Sequence, residues 1–549
     1  MHFFSSLGSF TTHSSIVINT HNQLTHQDPI LDKYPENEQE LGGLLGHNPG
    51  LEQNESDPDR IEEPLIKSPA NEIKDASADI PPPPAQVADV APSGQASALP
   101  ETTIVEHVPG WTLFRDIYMS NGTLLIVSSS PPSSFPQIRM MTSTGLKAEN
   151  TPENIALREP TPWNMDFVTP EEAVQRWGKA AEDPRVWTVE GNTLLFNDPP
   201  QFLAHYYHFC AELLFGAWSF WTGAASPAPP PSIQRAIFPH SDAGWRDGPG
   251  FNAYFLRAAF PSLTVEVEDD WEDRVIATSA TIDTPGQRAW HFPQLLLADR
   301  SAAFRGQLCG SQNQRTASES VDGLIALKKL DKDGNWWRSV RNSVWRFAGV
   351  DDRTMGLLPS VAGHVVTDSG ASVYEEQDKI VITYISRQSV RRRLIAEHHD
   401  VLVEALEDLV SRKNEEAKAS QATGASKAKE WELVIVQAEK LTKDEQVRIA
   451  ARTTILLGVH GNGLSHLILM PHTQISAVIE MFFPGGFAHD YEWTTRALGM
   501  RHFAIWNDTY YTNGETPQVD YPEGFQGTSI PVYGPAVADI IEKRVAGLI

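Results

Sequence analysis

A chain of 549 residues, 41% of them hydrophobic and 15 of them tryptophan, is too long for one core yet apolar enough to fold over most of its length, so two domains plus tails are expected. Its net charge of −26 argues against nucleic acid as a partner; residues 1–100 hold 15 Asp and Glu against 4 Lys and Arg, so −11 of that charge sits there and −15 on the rest. Two cysteines, Cys210 and Cys309, form no zinc pattern, and no run of 18 apolar residues offers a membrane span.

In chain order, residues 1–100 read as a disordered stem: acidic, Pro-rich, and closing on Pro81-Pro82-Pro83-Pro84 and a small-residue stretch to Pro100. Met1 to Asn19 lacks the basic start and compact apolar run of a signal peptide. Order is expected from about Thr103. Trp111-Thr-Leu-Phe-Arg and Gly122-Thr-Leu-Leu-Ile-Val-Ser read as short strands around a turn, followed by a loop region to about Trp187 and a strand at Thr193-Leu-Leu-Phe. From His205 to Trp218 the pattern is helical. Phe209, Leu213 and Ala217 recur every four residues, and His205, His208 and Glu212 share a neighbouring face. Pro227 to Pro231 ends that helix. A strand at Ile233 to Phe238, a helix near Phe251 to Phe260, short strands at Val265-Glu-Val and Val275-Ile-Ala, and a Trp/Arg-rich helix from Trp336 to Phe347 follow.

From about residue 360 the pattern becomes a βαβ series. Strands are expected at Lys379–Ser386, Trp431–Val436, Thr454–Val459 and Ile475–Met481. A long helix carrying Leu394, Leu402, Leu406 and Leu409 on its inner side and a second near Asp444 to Arg452 lie between them; 413–430 reads as a surface loop.

The most informative stretch is Thr454-Ile-Leu-Leu-Gly-Val-His460-Gly461-Asn462-Gly463-Leu-Ser-His466-Leu-Ile-Leu-Met470. A continuous aliphatic run suits a strand covered on both faces. Gly461 and Gly463 permit positive φ and close approach to the backbone. The helix that follows turns its N–H groups and positive dipole end to the mouth of the turn, an anion pocket at a strand's carboxyl end. Upstream, Ser386-Arg387-Gln-Ser-Val-Arg391-Arg392-Arg393 leaves another strand end. A basic first turn opposes the helix dipole, which points to an anion seated there, with Arg387 and Arg393 as its bidentate contacts. Glu397 pairs with Arg393 or faces a ligand hydroxyl, and Glu480, closing a strand, suits a ribose or sugar hydroxyl. Together these residues describe a diphosphate site built from successive strand ends. His466 is expected to pack within its helix. His205, His208 and Glu212, in the first half, are candidate base or substrate contacts, or else a satisfied cluster between domains; as a metal cluster they lack a further ligand.

The run Gly458-Val-His-Gly-Asn-Gly-Leu-Ser-His-Leu-Ile-Leu-Met-Pro471 with Val478-Ile-Glu-Met resembles the signature of the family 61 glycosyltransferases. Ile385-Ser-Arg387 with Arg392, Arg393, Leu394 and Glu397 resembles that family's upstream arginine element. Tyr207-His208-Phe209-Cys210 resembles a segment of its EGF-domain-specific O-linked N-acetylglucosamine transferase branch. Asn462 stands where that family usually has Ala, and Ala396 where Asn is common. The resemblance implies a GT-B-like α/β fold: two Rossmann-like domains facing a cleft, here 101–355 on the acceptor side and 356–549 on the nucleotide-sugar side, after the stem 1–100. It implies inverting transfer of xylose or N-acetylglucosamine from a UDP-sugar to a glycan or glycoprotein hydroxyl. Arg387, Arg393, Glu397, His460, Gly461, Asn462, Gly463 and Glu480 would hold the donor, with His208 and Glu212 supplying the base and no metal required. It also implies the Golgi or endoplasmic reticulum lumen, from a membrane anchor not visible in this sequence. Asn54, Asn121 and Asn507 are Asn-x-Ser/Thr acceptors there.

Two rivals stand beside this reading. A hydrolase with a His-Gly oxyanion turn would need a Gly-x-Ser-x-Gly elbow, and none is present. A non-catalytic nucleotide- or glycan-binding module of the same fold would keep UDP binding without turnover.

Overall fold

The computed structural model describes residues 16–17, 99–149, 151–178, 185–279, 288–302, 311–351, 354, 377–389, 391–422, 428–512 and 514–549. Nearly all of the acidic stem, Asn54, Cys309 and the 355/356 boundary lie outside them.

The first half is built on a mixed ten-stranded sheet. Its strands are β1 (Ile16–Val17), β2 (Thr103–Val108), β3 (Trp111–Ser120), β4 (Thr123–Val127), β5 (Met165–Val168), β6 (Val186–Thr188), β7 (Asn192–Phe196), β8 (Arg235–Ile237), β9 (Thr264–Glu266) and β10 (Ala289–Ala298). β10 divides it. On one side β10, β7, β8 and β9 run parallel, with Ala298 opposite Phe196. On the other, β3 pairs antiparallel with β10, β2 and β4.

The second half holds a six-stranded sheet: β11 (Lys379–Ile385), β12 (Glu430–Val436), β13 (Ile455–Val459), β14 (Ala477–Met481), β15 (Arg501–Trp506) and β16 (Thr509–Thr512), in the order β12-β11-β13-β14-β15-β16. All but β16 are parallel. Alternate side chains go to opposite faces, and both faces are covered over the central strands β11, β13 and β14, which is why these are mainly aliphatic. Ile455 and Leu457 pack with Leu402, Leu406, Leu409, Ile540 and Ile541 of the helices Ala396–Ala422 and Gly534–Val545. Leu456 and Val478 face the other way, into a cluster that also holds Trp337, Trp345, Leu464 and Leu467 and reaches Trp111 and Leu296 of the first sheet. A shared helical layer thus bridges the two sheets.

Several elements differ from the sequence expectation. Val275-Ile-Ala is helical, within Glu268–Thr278, whose first turn carries Glu268, Asp269 and Asp270 against the positive dipole end. The loop expected over 413–430 is helix up to Ala422, continuing the long helix. There Arg412 and Lys413 pair with Glu542, Ala417 is buried, and Asn414 exchanges hydrogen bonds with the backbone of Trp431. The region before Trp187 carries β5 and the helix Pro170–Trp177, capped by Thr169 with Glu172. The strands β15 and β16 extend the second sheet beyond the four expected. The His205–Trp218 segment is helical, but its first part, Tyr207–Leu214, is a π-helix, continued as an α-helix over Phe215–Ala225. Buried Cys210 is a free thiol beside Asn252.

Candidate active site

Strand order in the second sheet reverses between β11 and β13, where Ile385 lies opposite Gly458. In an open α/β sheet this switch point leaves a crevice at the carboxyl ends of the two strands, where ligands bind. Arg387 leaves β11 there, and His460-Gly461 leaves β13.

Gly461 has φ 151° and ψ 174°, a region only glycine occupies readily. The Arg387 guanidinium lies directly on it: a Cβ at residue 461 would stand 1.6 Å from Arg387 Nη1. Gly463 lets the turn close on Ile385, whose Cγ2 would be 3.0 Å from an added Cβ. Arg392 sits at φ 55°, in the left-handed region. The Arg392 charge is felt by Arg387, His460, Glu480 and Tyr491. Burial and the Arg392 charge push Arg387 down to about 10. Arg387 Nη1 and Arg392 Nε are both buried and make no hydrogen bond to protein. Two like charges with unmatched N–H groups call for an anion.

Behind them, Glu480 is fully buried and takes two imidazoles: His460 Nδ1 on Oε1 at 2.5 Å and His502 Nε2 on Oε2 at 2.8 Å. Burial, with Asp490 and Glu492 adding to it, pushes the Glu480 carboxyl up. Burial, then the Arg392 and Arg387 charges, holds His460 well below the usual imidazole range, so its ring is neutral at pH 7. Phe482 stacks on that ring at 5.2 Å, and Tyr491 and Phe525 wall it at 5.6 and 5.3 Å. His460 Nε2 is the ring atom left for a ligand.

The π-helix of the first half meets this turn directly. Asn462 Oδ1 accepts from the Tyr207 N–H at 3.2 Å and from Ser465 Oγ at 3.1 Å. Tyr207 donates its hydroxyl to the Asp490 carbonyl and lies 3.1 Å from Thr494 Oγ1. This contact carries His205 and His208 to the crevice. Their rings are 4.8 Å apart, and His205 feels the charge of Arg392. His208 Nδ1 lies 2.9 Å from Glu212 Oε2; the imidazole is partly exposed and the carboxylate fully buried. Arg300 Nη1 donates to Glu212 Oε1 at 2.5 Å, and Arg300 Nε to Asp198 Oδ2 at 2.6 Å. From behind the turn, Trp337 and Trp345 donate their indole N–H groups to the carbonyls of Ile468 and Leu469, and Arg341 donates to that of Met470. These close the carboxyl end of the short helix Asn462–Leu469.

The structure therefore brings Arg387, His460, Gly461, Glu480, His208 and Glu212 to one locality. Four other residues singled out by sequence stand differently. Asn462 joins the two halves, and Gly463 packs on Ile385. Glu397 is exposed in the first turn of the long helix. Arg393 accepts at its carbonyl from the Ile530 N–H, and Arg392 rather than Arg393 acts on the charges of the crevice. Glu480, expected to meet a sugar hydroxyl, is fully buried with an imidazole on each oxygen. His466 packs as expected, its Nε2 2.9 Å from Gln446 Oε1. Arg392 was named only as part of the arginine element and given no role of its own, and His502, Tyr491, Asp198 and Arg300 were not singled out. The run Arg391-Arg392-Arg393 announced an arginine but not which one, and Asp198 and Arg300 carry no local motif. Among the described residues no group of three or more His, Cys, Asp or Glu is placed to hold a metal ion, and no helix is long and apolar enough to cross a membrane.

No curated protein matches the chain significantly. Residues 206–476 match the family model Glycosyltransferase 61, a span that opens on the π-helix and runs through Arg387, Arg392 and the glycine turn. Over residues 206–476 the chain carries a match to the family 61 glycosyltransferases, which supports glycosyl transfer as its function.

Proposed function

We propose that the protein moves xylose or N-acetylglucosamine from a UDP-sugar to a hydroxyl of a glycan or glycoprotein, with inversion at the anomeric carbon. The observation that carries this reading is a pair of arginines at the strand switch, each with a buried N–H that no protein group accepts: Arg387, whose guanidinium lies on Gly461, and Arg392, whose charge Arg387 feels. They suit the leaving diphosphate, whose negative charge grows as the glycosidic bond to phosphate breaks. His208, from the other half, takes the acceptor proton on Nε2 while the acceptor oxygen attacks the anomeric carbon and UDP departs. Inversion follows from this single displacement. The two sheets then form a GT-B-like pair, the second holding the donor and the first the acceptor. With cationic side chains and a helix terminus meeting the diphosphate, the reading asks for no metal. We place the enzyme in the Golgi or endoplasmic reticulum lumen. Asn121 and Asn507, both in turns between strands, are then acceptors for glycosylation, and peptide mapping of the native protein that finds both unmodified would count against that location.

Calorimetric titration of the full chain with UDP, UDP-xylose, UDP-N-acetylglucosamine and GDP, with and without chelator, tests the reading. UDP-selective binding unaffected by chelator is expected, and the tighter sugar nucleotide names the donor. Absence of nucleotide binding would remove the diphosphate site. Binding without transfer to any acceptor and without donor hydrolysis would favour a binding module.

A further inference from the structure

Asp198 and Arg300 lie outside every motif of the sequence, yet they sit at the back of the base. Each is two residues beyond the end of a strand, β7 and β10. Those strands are parallel neighbours with Phe196 opposite Ala298, so the register brings the two side chains out together. Both are fully buried. Arg300 makes a fork: its N–H and Nε go to the two Asp198 oxygens at 2.9 and 2.6 Å, and Nη1 goes to Glu212 Oε1 at 2.5 Å and to the His208 carbonyl at 3.1 Å. Glu212 spends its other oxygen on His208 Nδ1. A carboxylate held by a guanidinium is an acceptor only, so His208 donates from Nδ1 and keeps its lone pair on Nε2. The groups facing His208 are Glu212 on its own helix, His205 and Tyr207 just before it, Arg300 from β10 and Asp198 from β7 behind Arg300. Arg392 of the second half lies beyond His205.

We infer that Asp198 and Arg300 are positioning residues that set the tautomer and orientation of His208. The inference rests on the proposed role of His208 as base. Asp198, Arg300 and Glu212 together carry a net charge of −1. A proton gained by His208 makes the buried array neutral, so the array favours the imidazolium formed as the acceptor oxygen attacks. Arg300 also fixes the π-helix by its bond to the His208 carbonyl, which holds the ring at a set distance from the glycine turn.

Two substitutions separate charge from geometry. Asp198→Asn removes a negative charge behind the base and keeps the shape, so the positive charge formed on attack is less well matched and kcat falls by about tenfold or more, inside the range a positioned base contributes. Arg300→Lys keeps the charge and loses the guanidinium's bonds to Glu212 and the His208 carbonyl, so kcat falls as well. UDP affinity is unchanged in both. Nitrogen-15 NMR of histidine-labelled full-length protein, with His208→Gln for assignment, reads the tautomer without turnover. It should give the Nδ1–H tautomer in the wild type and mixed tautomers in Arg300→Lys. A wild type without the Nδ1–H tautomer, or a folded Arg300→Lys that keeps it unchanged, overturns the inference, whether or not the wild type transfers sugar. A wild type that binds no UDP but shows these NMR changes would instead fault the transferase reading and leave the relay standing.

Discussion

Gly461→Ala is the sharpest perturbation the site offers. The new methyl would begin 1.6 Å from Arg387 Nη1, and real Cβ atoms essentially never approach a heavy atom closer than 3.0 Å, so the guanidinium must retreat by at least 1.4 Å. A charge-assisted hydrogen bond near 2.8 Å does not survive that displacement. Its loss costs about 1.5–3 kcal/mol, which is roughly tenfold to a hundredfold in Kd for UDP. A second effect falls on the fold alone. Alanine at φ 151°, ψ 174° adds about 1–3 kcal/mol of backbone strain and lowers the melting temperature without acting on the ligand. Calorimetry with UDP and thermal unfolding of the same samples separate the two. The double variant Gly461→Ala/Arg387→Ala should bind UDP no more weakly than Arg387→Ala, because one contact cannot be lost twice. Wild-type UDP affinity in Gly461→Ala, or additive losses in the double variant, would refute the arrangement of Arg387 on the glycine turn.

Arg392→Ala should weaken UDP by about 1.5–3 kcal/mol, while Arg393→Ala should change it by less than about 0.5 kcal/mol; calorimetry that finds the reverse order would restore the assignment made from sequence. Glu480→Gln presents an amide donor to one of two buried imidazoles, so urea unfolding should show a loss of about 1–3 kcal/mol, with weaker UDP binding as His460 loosens; equal stability would mean the carboxylate does not hold the ring. Burial holds His107, His466 and His502 each near 4, against 6.5 for an ordinary imidazole. Between those values the unfolded chain binds the extra protons, so stability falls as the pH drops from 6.5 toward 4, by about 1.4 kcal/mol per unit for each ring. Burial also raises Glu480, Asp198, Glu106 and Asp299, the last to about 6, and these contribute the opposite slope; His205 and His460, both lowered, add to the imidazole side, so the net fall is smaller than the sum over the rings. Denaturant curves at pH 7, 6 and 5 that show no loss would contradict neutral burial of these rings.

What could be read from sequence was whatever leaves a local trace. The strands β11 to β14 are runs of aliphatic residues because both faces of that sheet are covered, and such runs stand out against polar helices. His460-Gly-Asn-Gly was legible because a strained turn demands glycine whatever the rest of the fold does. The long helix was read too short because Lys413 to Ala422 looks like a polar loop until its partners Glu542 and Trp431 are in place. The strand misread at Val275 carried its correction nearby, in the three acids at 268–270 that open a helix. Arg392 was given no role of its own for a different reason. Which of three consecutive arginines carries the largest charge effect on the crevice is set by how the chain turns there, and nothing in the run announces it. Asp198 and Arg300 are 102 residues apart and meet only through the register of β7 and β10. The π-helix is likewise invisible to a helical period, although its contact with Asn462 decides where His208 stands.

The charges of the site are arranged in a way that favours transfer over binding alone. On the proposed reading, the displacement creates a positive charge on the base and a growing negative charge on the departing diphosphate. The chain has placed charges of the opposite sign behind each pole before any ligand arrives. Asp198, Arg300 and Glu212 leave a net −1 behind His208, and Arg387 with Arg392 leaves +2 at the glycine turn. A module that only bound UDP would need the second pole and not the first. Fully burying a carboxylate, a guanidinium and a second carboxylate behind a partly exposed histidine is costly in desolvation and gives little stability that a packed apolar core would not. That cost is intelligible if the histidine must accept a proton on one face while the tautomer is fixed from the other. The two poles come from different sheets, and the contact that sets their separation is the bond between Asn462 on the glycine turn and the first N–H of the π-helix.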